Sequence, residues 1–200
     1  MKRCVIYVHG KGGSPSEAQH YEPLFPDSDV IGFDYTSQTP WEAREEFSKF
    51  FGEKKSRYDS VILTANSIGA FFSMNTPLEG IVDSALFISP VVDMERLIKD
   101  MMNWANITES ELKSAGEIKT DFGETLSWEY LCYVHDHPTE WNIPTYILYG
   151  EHDRLTSYET ISEFAGNTGA SVTVMSGGEH WFHTDSQMRF LDGWIRSLGL

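Results

Sequence analysis

A chain of 200 residues, 40% of them hydrophobic, carries enough apolar side chains for one domain with its own core and needs no disulfide staple. Its 30 acidic residues outnumber 15 basic ones, giving a net charge of −15, and Lys and Arg cluster on no predicted face. That balance argues against nucleic acid as a partner, since such affinity rests on neutralised phosphates, and no stretch approaches the ~20 apolar residues of a membrane span.

The two cysteines, Cys4 and Cys132, fall in an apolar strand and an apolar helical run, as reduced, packed thiols do. The N-terminus runs from Met-Lys-Arg straight into a strand, without a signal-peptide core or cleavage site. The expectation is a cytoplasmic protein.

Cys4 to Val8 is predicted as the first strand, and it runs into the glycine-rich loop His9-Gly10-Lys11-Gly12-Gly13. Two phosphate-binding readings fail there. A dinucleotide fingerprint needs glycine where Pro15 stands, and a P-loop needs Ser or Thr where Gly12 follows Lys11. Asp29 to Phe33 gives a second strand. Thr39-Pro40-Trp41-Glu42 starts a helix with a capping box, and Ala43, Phe47, Phe50 and Phe51 keep one apolar face to about Gly52.

Val61 to Ala65 is the third strand, and its run of apolar and β-branched residues marks it as buried on both faces. It stops at Ser67, with the small residues Ala65 and Gly69 two positions either side. Such flanks let a strand turn sharply into a helix and lift the hydroxyl to where a substrate can reach it. They equally suit an N-capping serine on an ordinary βα unit. In the helix that follows, Ala70, Phe71 and Met74 read as core, and Ser84 to Ile88 is the fourth strand. Strands alternating with helices imply right-handed βαβ units in a parallel sheet.

From about Val91 to Trp141 the alternation breaks. Met94, Leu97, Ile98, Met101 and Met102 recur at helical spacing, Thr108 to Glu111 is a capping box before a short helix ending near Gly116, and Ser127 to Val134 forms a third, aromatic helix. The reading is a single domain over 1–200 with an insert at about 92–141. His135-Asp136-His137 makes no metal site, because adjacent residues on a helix point apart and Pro138 ends the segment.

Thr145 to Tyr149 is the fifth strand, followed by Gly150-Glu151-His152-Asp153 and a helix whose capping box is read as Thr156 to Glu159. An acidic residue past the carboxyl end of a strand lies on the edge where open parallel sheets place their sites. Glu151 and Asp153 compete for that place, with His152 as a structural neighbour. Ser171 to Met175 is the sixth strand, and the turn Ser176-Gly177-Gly178-Glu179 presents His180 before a final helix. That helix starts near Thr184 and packs Met188, Leu191, Ile195 and Leu198.

Ala65-Asn66-Ser67-Ile68-Gly69 resembles the G-x-S-x-G nucleophile elbow of the α/β-hydrolases, with Ala65 in place of the first glycine. His9-Gly10-Lys11-Gly12 looks like the loop after the first core strand of that family, and Ser67, Asp153 and His180 follow its order of serine, acid and histidine. The resemblance covers nearly the whole chain outside the insert. It implies an α/β-hydrolase fold: an α/β class domain with a sheet of about six mainly parallel strands, helices on both faces and a small helical cap insert. It also implies Ser67 as nucleophile, His180 as general base and acid, and Asp153 as the residue that orients it. The resemblance favours Asp153 over Glu151, because Gly-x-x-Asp-x-x-Thr is similar to the turn that carries the acid in that family. The backbone N–H groups of Lys11 and Ile68 become the oxyanion hole. In such folds the connection after the fourth strand commonly covers the site, which makes Met101, Met102, Trp104, Trp128 and Tyr133 candidate substrate-pocket residues, with core packing as their other reading. The implied activity is a serine hydrolase that cleaves a carboxylic ester, thioester or amide of a small-molecule acyl substrate, with no metal or organic cofactor. Acyl transfer or lyase chemistry on the same three residues, and a non-catalytic binding protein retaining the fold, are the alternatives.

Overall fold

The computed structural model describes residues 2–200. In chain order they form β1 (Arg3–Val8), a 3-10 segment (Pro15–Leu24), β2 (Asp29–Gly32), α1 (Pro40–Lys55), β3 (Ser60–Asn66), α2 (Ile68–Met74) and β4 (Ser84–Ile88). Then come α3 (Met94–Trp104), α4 (Glu109–Ala115), β5 (Glu117–Lys119), β6 (Thr125–Ser127) and α5 (Trp128–Asp136). The chain ends with β7 (Thr145–Gly150), α6 (Tyr158–Thr168), β8 (Ser171–Met175) and α7 (Asp185–Leu198). These elements gather into two compact units. One runs up to Val92 and resumes over Trp141–Leu200, and the other is Asp93–Glu140.

The first unit is built on a six-stranded sheet in the order β2-β1-β3-β4-β7-β8, with every pairing parallel. Its central strands are apolar on both faces because helices cover both. On one face Val5, Tyr7, Ile62, Leu86, Ile88 and Leu148 pack with Ala18 and Tyr21 of the 3-10 segment, Phe25 just after it, and Leu191, Trp194 and Ile195 of α7. Elsewhere in the unit, α1 contributes an aromatic cluster, with Phe50 stacked on Phe33 at 3.9 Å between ring centroids and Phe47 edge-on to Phe33 at 4.8 Å. The chain runs outward from β1 to β2 and then returns past β1 to β3. Strand order therefore reverses between β1 and β3, and in open parallel sheets the crevice past the carboxyl ends at such a reversal is where ligands bind.

Local signals explain most boundaries. Thr39 and Glu42 form the capping box of α1 with Pro40 in its first turn, and the helix continues through Gly52 to Lys55, beyond the end read from the sequence. The start of α6 corrects another expectation. Ser157, rather than Thr156, is its N-cap, and its Oγ accepts the Thr160 N–H at 3.2 Å. Thr156 is buried, and its carbonyl accepts the Tyr149 hydroxyl at 3.0 Å.

In the second unit, α3 starts at Asp93, whose Oδ1 accepts the Arg96 N–H at 2.9 Å, and packs against α5 and β6. Thr108 and Glu111 cap α4 reciprocally. β5 and β6 pair as an antiparallel hairpin turning through Gly123, which sits at φ 89. The sequence reading has no strands here, because three-residue strands are too short to show a period of two. Among the described residues no helix is long and apolar enough to cross a membrane.

Candidate active site

Ser67 stands between β3 and α2 with φ 50 and ψ −120, a conformation L-residues avoid. Three backbone bonds hold it there. Its N–H donates to Ile88 O, and its carbonyl accepts from Ala70 N and Val91 N, each at 3.1 Å. The neighbouring glycine explains how the turn fits: a Cβ on Gly69 would lie 2.5 Å from the carbonyl oxygen of His9. Helix α2 can therefore start against the end of β1 only without a side chain at that position. Ala65 is fully buried between Val8 and Phe87 in register, so the methyl in place of the first glycine of the motif is accommodated inside the sheet.

Asp153 reaches the same edge from the turn after β7. Its side chain is wholly buried; Oδ1 accepts the N–H groups of Leu155 at 2.8 Å and Thr156 at 3.1 Å, and Oδ2 meets His180 Nδ1 at 2.7 Å. A buried carboxylate can only accept, so Nδ1 carries the proton. The far nitrogen, Nε2, lies 2.9 Å from Ser67 Oγ. In this tautomer it accepts the serine hydroxyl. The structure thus brings Ser67, His180 and Asp153 into one hydrogen-bonded row.

The loop that delivers His180 rests directly on Gly150. A Cβ there would lie 2.5 Å from Glu179 O and 2.7 Å from the Gly178 carbonyl carbon. His152 N–H donates to Gly178 O at 2.7 Å, and Glu151 N–H donates to Met175 O at 3.0 Å. The Glu151 carboxylate turns away to Ser176 Oγ at 2.7 Å and Gly177 N–H at 2.8 Å, and these two bonds hold its pKa below the usual range. Of the two competing acids, Asp153 is the one bonded to the histidine.

A cavity of about 740 Å³ opens beside Ser67. Gly10, Lys11, Gly12 and Gly13 line it on one side, where Gly13 N–H donates to Gly10 O at 3.1 Å across a tight turn with Gly12 at φ 76. Ile68 opens α2, where helix geometry leaves the first amides without a partner inside the helix. His9, just before this turn, stacks on Tyr35 at 4.3 Å, and the Tyr35 hydroxyl donates to its carbonyl at 2.8 Å. Ile88, Leu155, Phe182, Met188 and Leu191 give the cavity an apolar wall, while Glu17, His20 and Asn66 give it a polar one. The 3-10 segment that supplies Glu17, His20 and Tyr21 has no counterpart in the sequence reading. It contains Pro23 and no amphipathic period, so it offers no 3.6-residue signal.

All the residues lining this cavity belong to the first unit. Met101, Met102, Trp104, Trp128 and Tyr133 belong to the second. There Met102 is buried, Trp104 is 51% exposed and meets Phe122 edge-on at 6.2 Å, Lys113 lies over the Trp128 ring, and Tyr133 stacks on His137 at 4.1 Å. In the His135-Asp136-His137 run, His135 Nδ1 faces Glu95 at 3.1 Å and His137 Nδ1 faces the Tyr133 carbonyl at 2.9 Å. Among the described residues no group of three or more His, Cys, Asp or Glu could hold a metal ion.

No protein-family model and no curated protein matches this sequence. Solved structures do. Mouse alpha/beta hydrolase domain-containing protein 10 is 16% identical and superposes with a TM-score of 0.75 over 98% of this chain and 88% of its own. Est1E from Butyrivibrio proteoclasticus is 16% identical with a TM-score of 0.73, covering 99% and 86%. A monoacylglycerol lipase of Paleococcus ferrophilus is 15% identical with a TM-score of 0.64, covering 97% and 94%. What they share with this chain is architecture: it has the α/β-hydrolase fold.

Proposed function

We propose that this protein is a serine hydrolase that cleaves a carboxylic ester of a small or medium acyl group through an acyl-enzyme at Ser67. The observation that carries the reading is the unbroken row from Ser67 Oγ to His180 Nε2 at 2.9 Å and from His180 Nδ1 to Asp153 Oδ2 at 2.7 Å, at the edge of a cavity. A serine hydroxyl is a weak nucleophile near neutral pH and needs a base within reach. As Oγ attacks the acyl carbon, its proton passes to His180 Nε2, and buried Asp153 holds the ring and stabilises the cation that forms. The tetrahedral oxygen takes the negative charge and is received by the amides of Lys11 and Ile68. When the carbon–oxygen bond to the leaving alcohol breaks, His180 returns the proton to that alcohol. Water then repeats the sequence on the acyl-enzyme, with His180 again as base. Thioesters and amides present the same carbonyl and lie within this chemistry.

The names of structural neighbours, among them a monoacylglycerol lipase and a Pyrococcus furiosus esterase, accord with this reading. The test is covalent. A fluorophosphonate probe is expected to label Ser67, with the Ser67 peptide gaining the phosphonyl mass, and Ser67→Ala to abolish both labelling and turnover of p-nitrophenyl esters. Labelling that persists in Ser67→Ala, or a wild-type protein inert to probe and esters alike, overturns it.

A further inference from the structure

The two amides assigned to the oxyanion belong to different segments. Their spacing must be held to a fraction of an ångström, because donors act only when set 2.7–3.1 Å from where the charge develops. The elbow is pinned on both sides by the three backbone bonds at Ser67. The loop after β1 is of another kind. Three of the residues from His9 to Gly13 are glycines, and Lys11 and Gly12 are exposed; the turn is closed by Gly13 N–H on Gly10 O at 3.1 Å, and its near end is held by the Tyr35 hydroxyl on the His9 carbonyl at 2.8 Å.

What restrains its far end is a chain of side chains the mechanism does not otherwise use. Asn66, adjacent to the nucleophile, donates from Nδ2 to Tyr7 Oη at 2.8 Å. The Tyr7 hydroxyl donates to Glu17 Oε2, and Glu17 Oε1 accepts the Ser14 N–H at 3.1 Å, at the end of the glycine loop. Tyr7 is 1% exposed, and burial pushes its phenol far above the ordinary range, so the proton stays on oxygen and the direction of the chain is fixed. The circuit therefore runs from the elbow, through the floor of β1, to the loop.

We propose that Asn66, Tyr7 and Glu17 form a hydrogen-bonded brace that sets the Lys11 amide against the Ile68 amide, which makes Tyr7 and Glu17 positioning residues for the oxyanion. The proposal rests on the hydrolase reading above. A brace that aims donors at developing charge acts on the transition state and leaves ground-state binding alone, so its loss falls on kcat rather than KM.

Tyr7→Phe removes the hydroxyl and leaves the ring stacked on Tyr21, whose centroid is 5.0 Å away. It is expected to lower kcat about tenfold, less than the roughly hundredfold loss of removing a donor outright. KM is expected to stay within about twofold. Glu17→Gln keeps an acceptor oxygen for the loop amide and costs less, whereas Glu17→Ala, which also strips a carboxylate from the cavity wall, matches Tyr7→Phe in kcat. Because the groups form one chain, the Tyr7→Phe/Glu17→Ala protein loses no more than the worse single variant. Titrating active sites with the fluorophosphonate counts the competent molecules in each preparation. Losses that appear in KM, that multiply in the double variant, or that vanish once rates are divided by titrated sites overturn the brace. If the wild type turns over esters and Tyr7→Phe matches it, the brace alone fails. If the wild type is neither labelled nor active, the hydrolase reading fails and takes the brace with it.

Discussion

Of the three histidines that line the cavity, two are paired with an aspartate at nearly the same distance: His180 with Asp153 at 2.7 Å and His20 with Asp192 at 2.8 Å. What surrounds the pairs differs. The Asp153 side chain is wholly buried and its second oxygen holds two backbone amides, whereas the side chains of His20 and Asp192 are 34% and 24% exposed. The far nitrogen of His180 faces a strained serine, and the His20 ring meets the edge of Tyr21 at 5.3 Å. The contrast teaches that pairing alone does not equip an imidazole as a general base. It needs a locked carboxylate on one side and a hydroxyl within reach on the other.

The largest effect that tests this contrast is Asp153→Asn, which keeps the shape and reverses the tautomer that the histidine needs. We expect kcat on a p-nitrophenyl ester to fall roughly a thousandfold or more. The same change at the other pair, Asp192→Asn, is expected to leave kcat within about threefold, as is His20→Gln, since these two side chains bond to each other and not to Ser67, His180 or Asp153. A loss at His20 comparable to that at Asp153 would show that the second pair takes part in the chemistry and would erase the distinction. The smallest effect concerns stability. Hydrogen bonds from Ser176 and Gly177 depress the Glu151 pKa, so the folded protein binds this proton less readily than the unfolded chain. The resulting stabilisation is complete above the ordinary carboxylate value of about 4.3 and is lost as pH falls through the lower, folded value. Melting curves from pH 6 downward are expected to show Glu151→Gln with a shallower acid loss than wild type, and equal slopes would remove this role for Glu151.

The sheet was legible because its central strands are fully covered. Val61 to Ala65 reads as a run of apolar and β-branched residues and Ala85 to Ile88 as an apolar one, the pattern of strands buried on both faces. Ser67, Asp153 and His180 were legible for a related reason: each lies just beyond a strand end, where glycines punctuate the chain. Spacing alone served for the capping boxes Thr39–Glu42 and Thr108–Glu111 and misled at one other. Thr156-x-x-Glu159 has the pattern of a capping box, yet Thr156 is buried and Ser157 caps the helix. The 3-10 segment stayed hidden because its turns do not repeat at 3.6 residues, and with it went Glu17 and His20. Tyr7 was invisible as a polar group for the opposite reason, since in sequence it is one more large residue in an apolar strand.

Gly150 carries a consequence for how this protein can be altered. With the backbone of residues 178 and 179 lying on its Cα, the turn that carries Asp153 and the turn that carries His180 share a seam where neither has room to shift alone. A recombination crossover or loop graft that separates 150 from 180 would join two surfaces shaped by different partners. The stretch between them is best treated as one heritable cassette, exchanged whole with both of its turns.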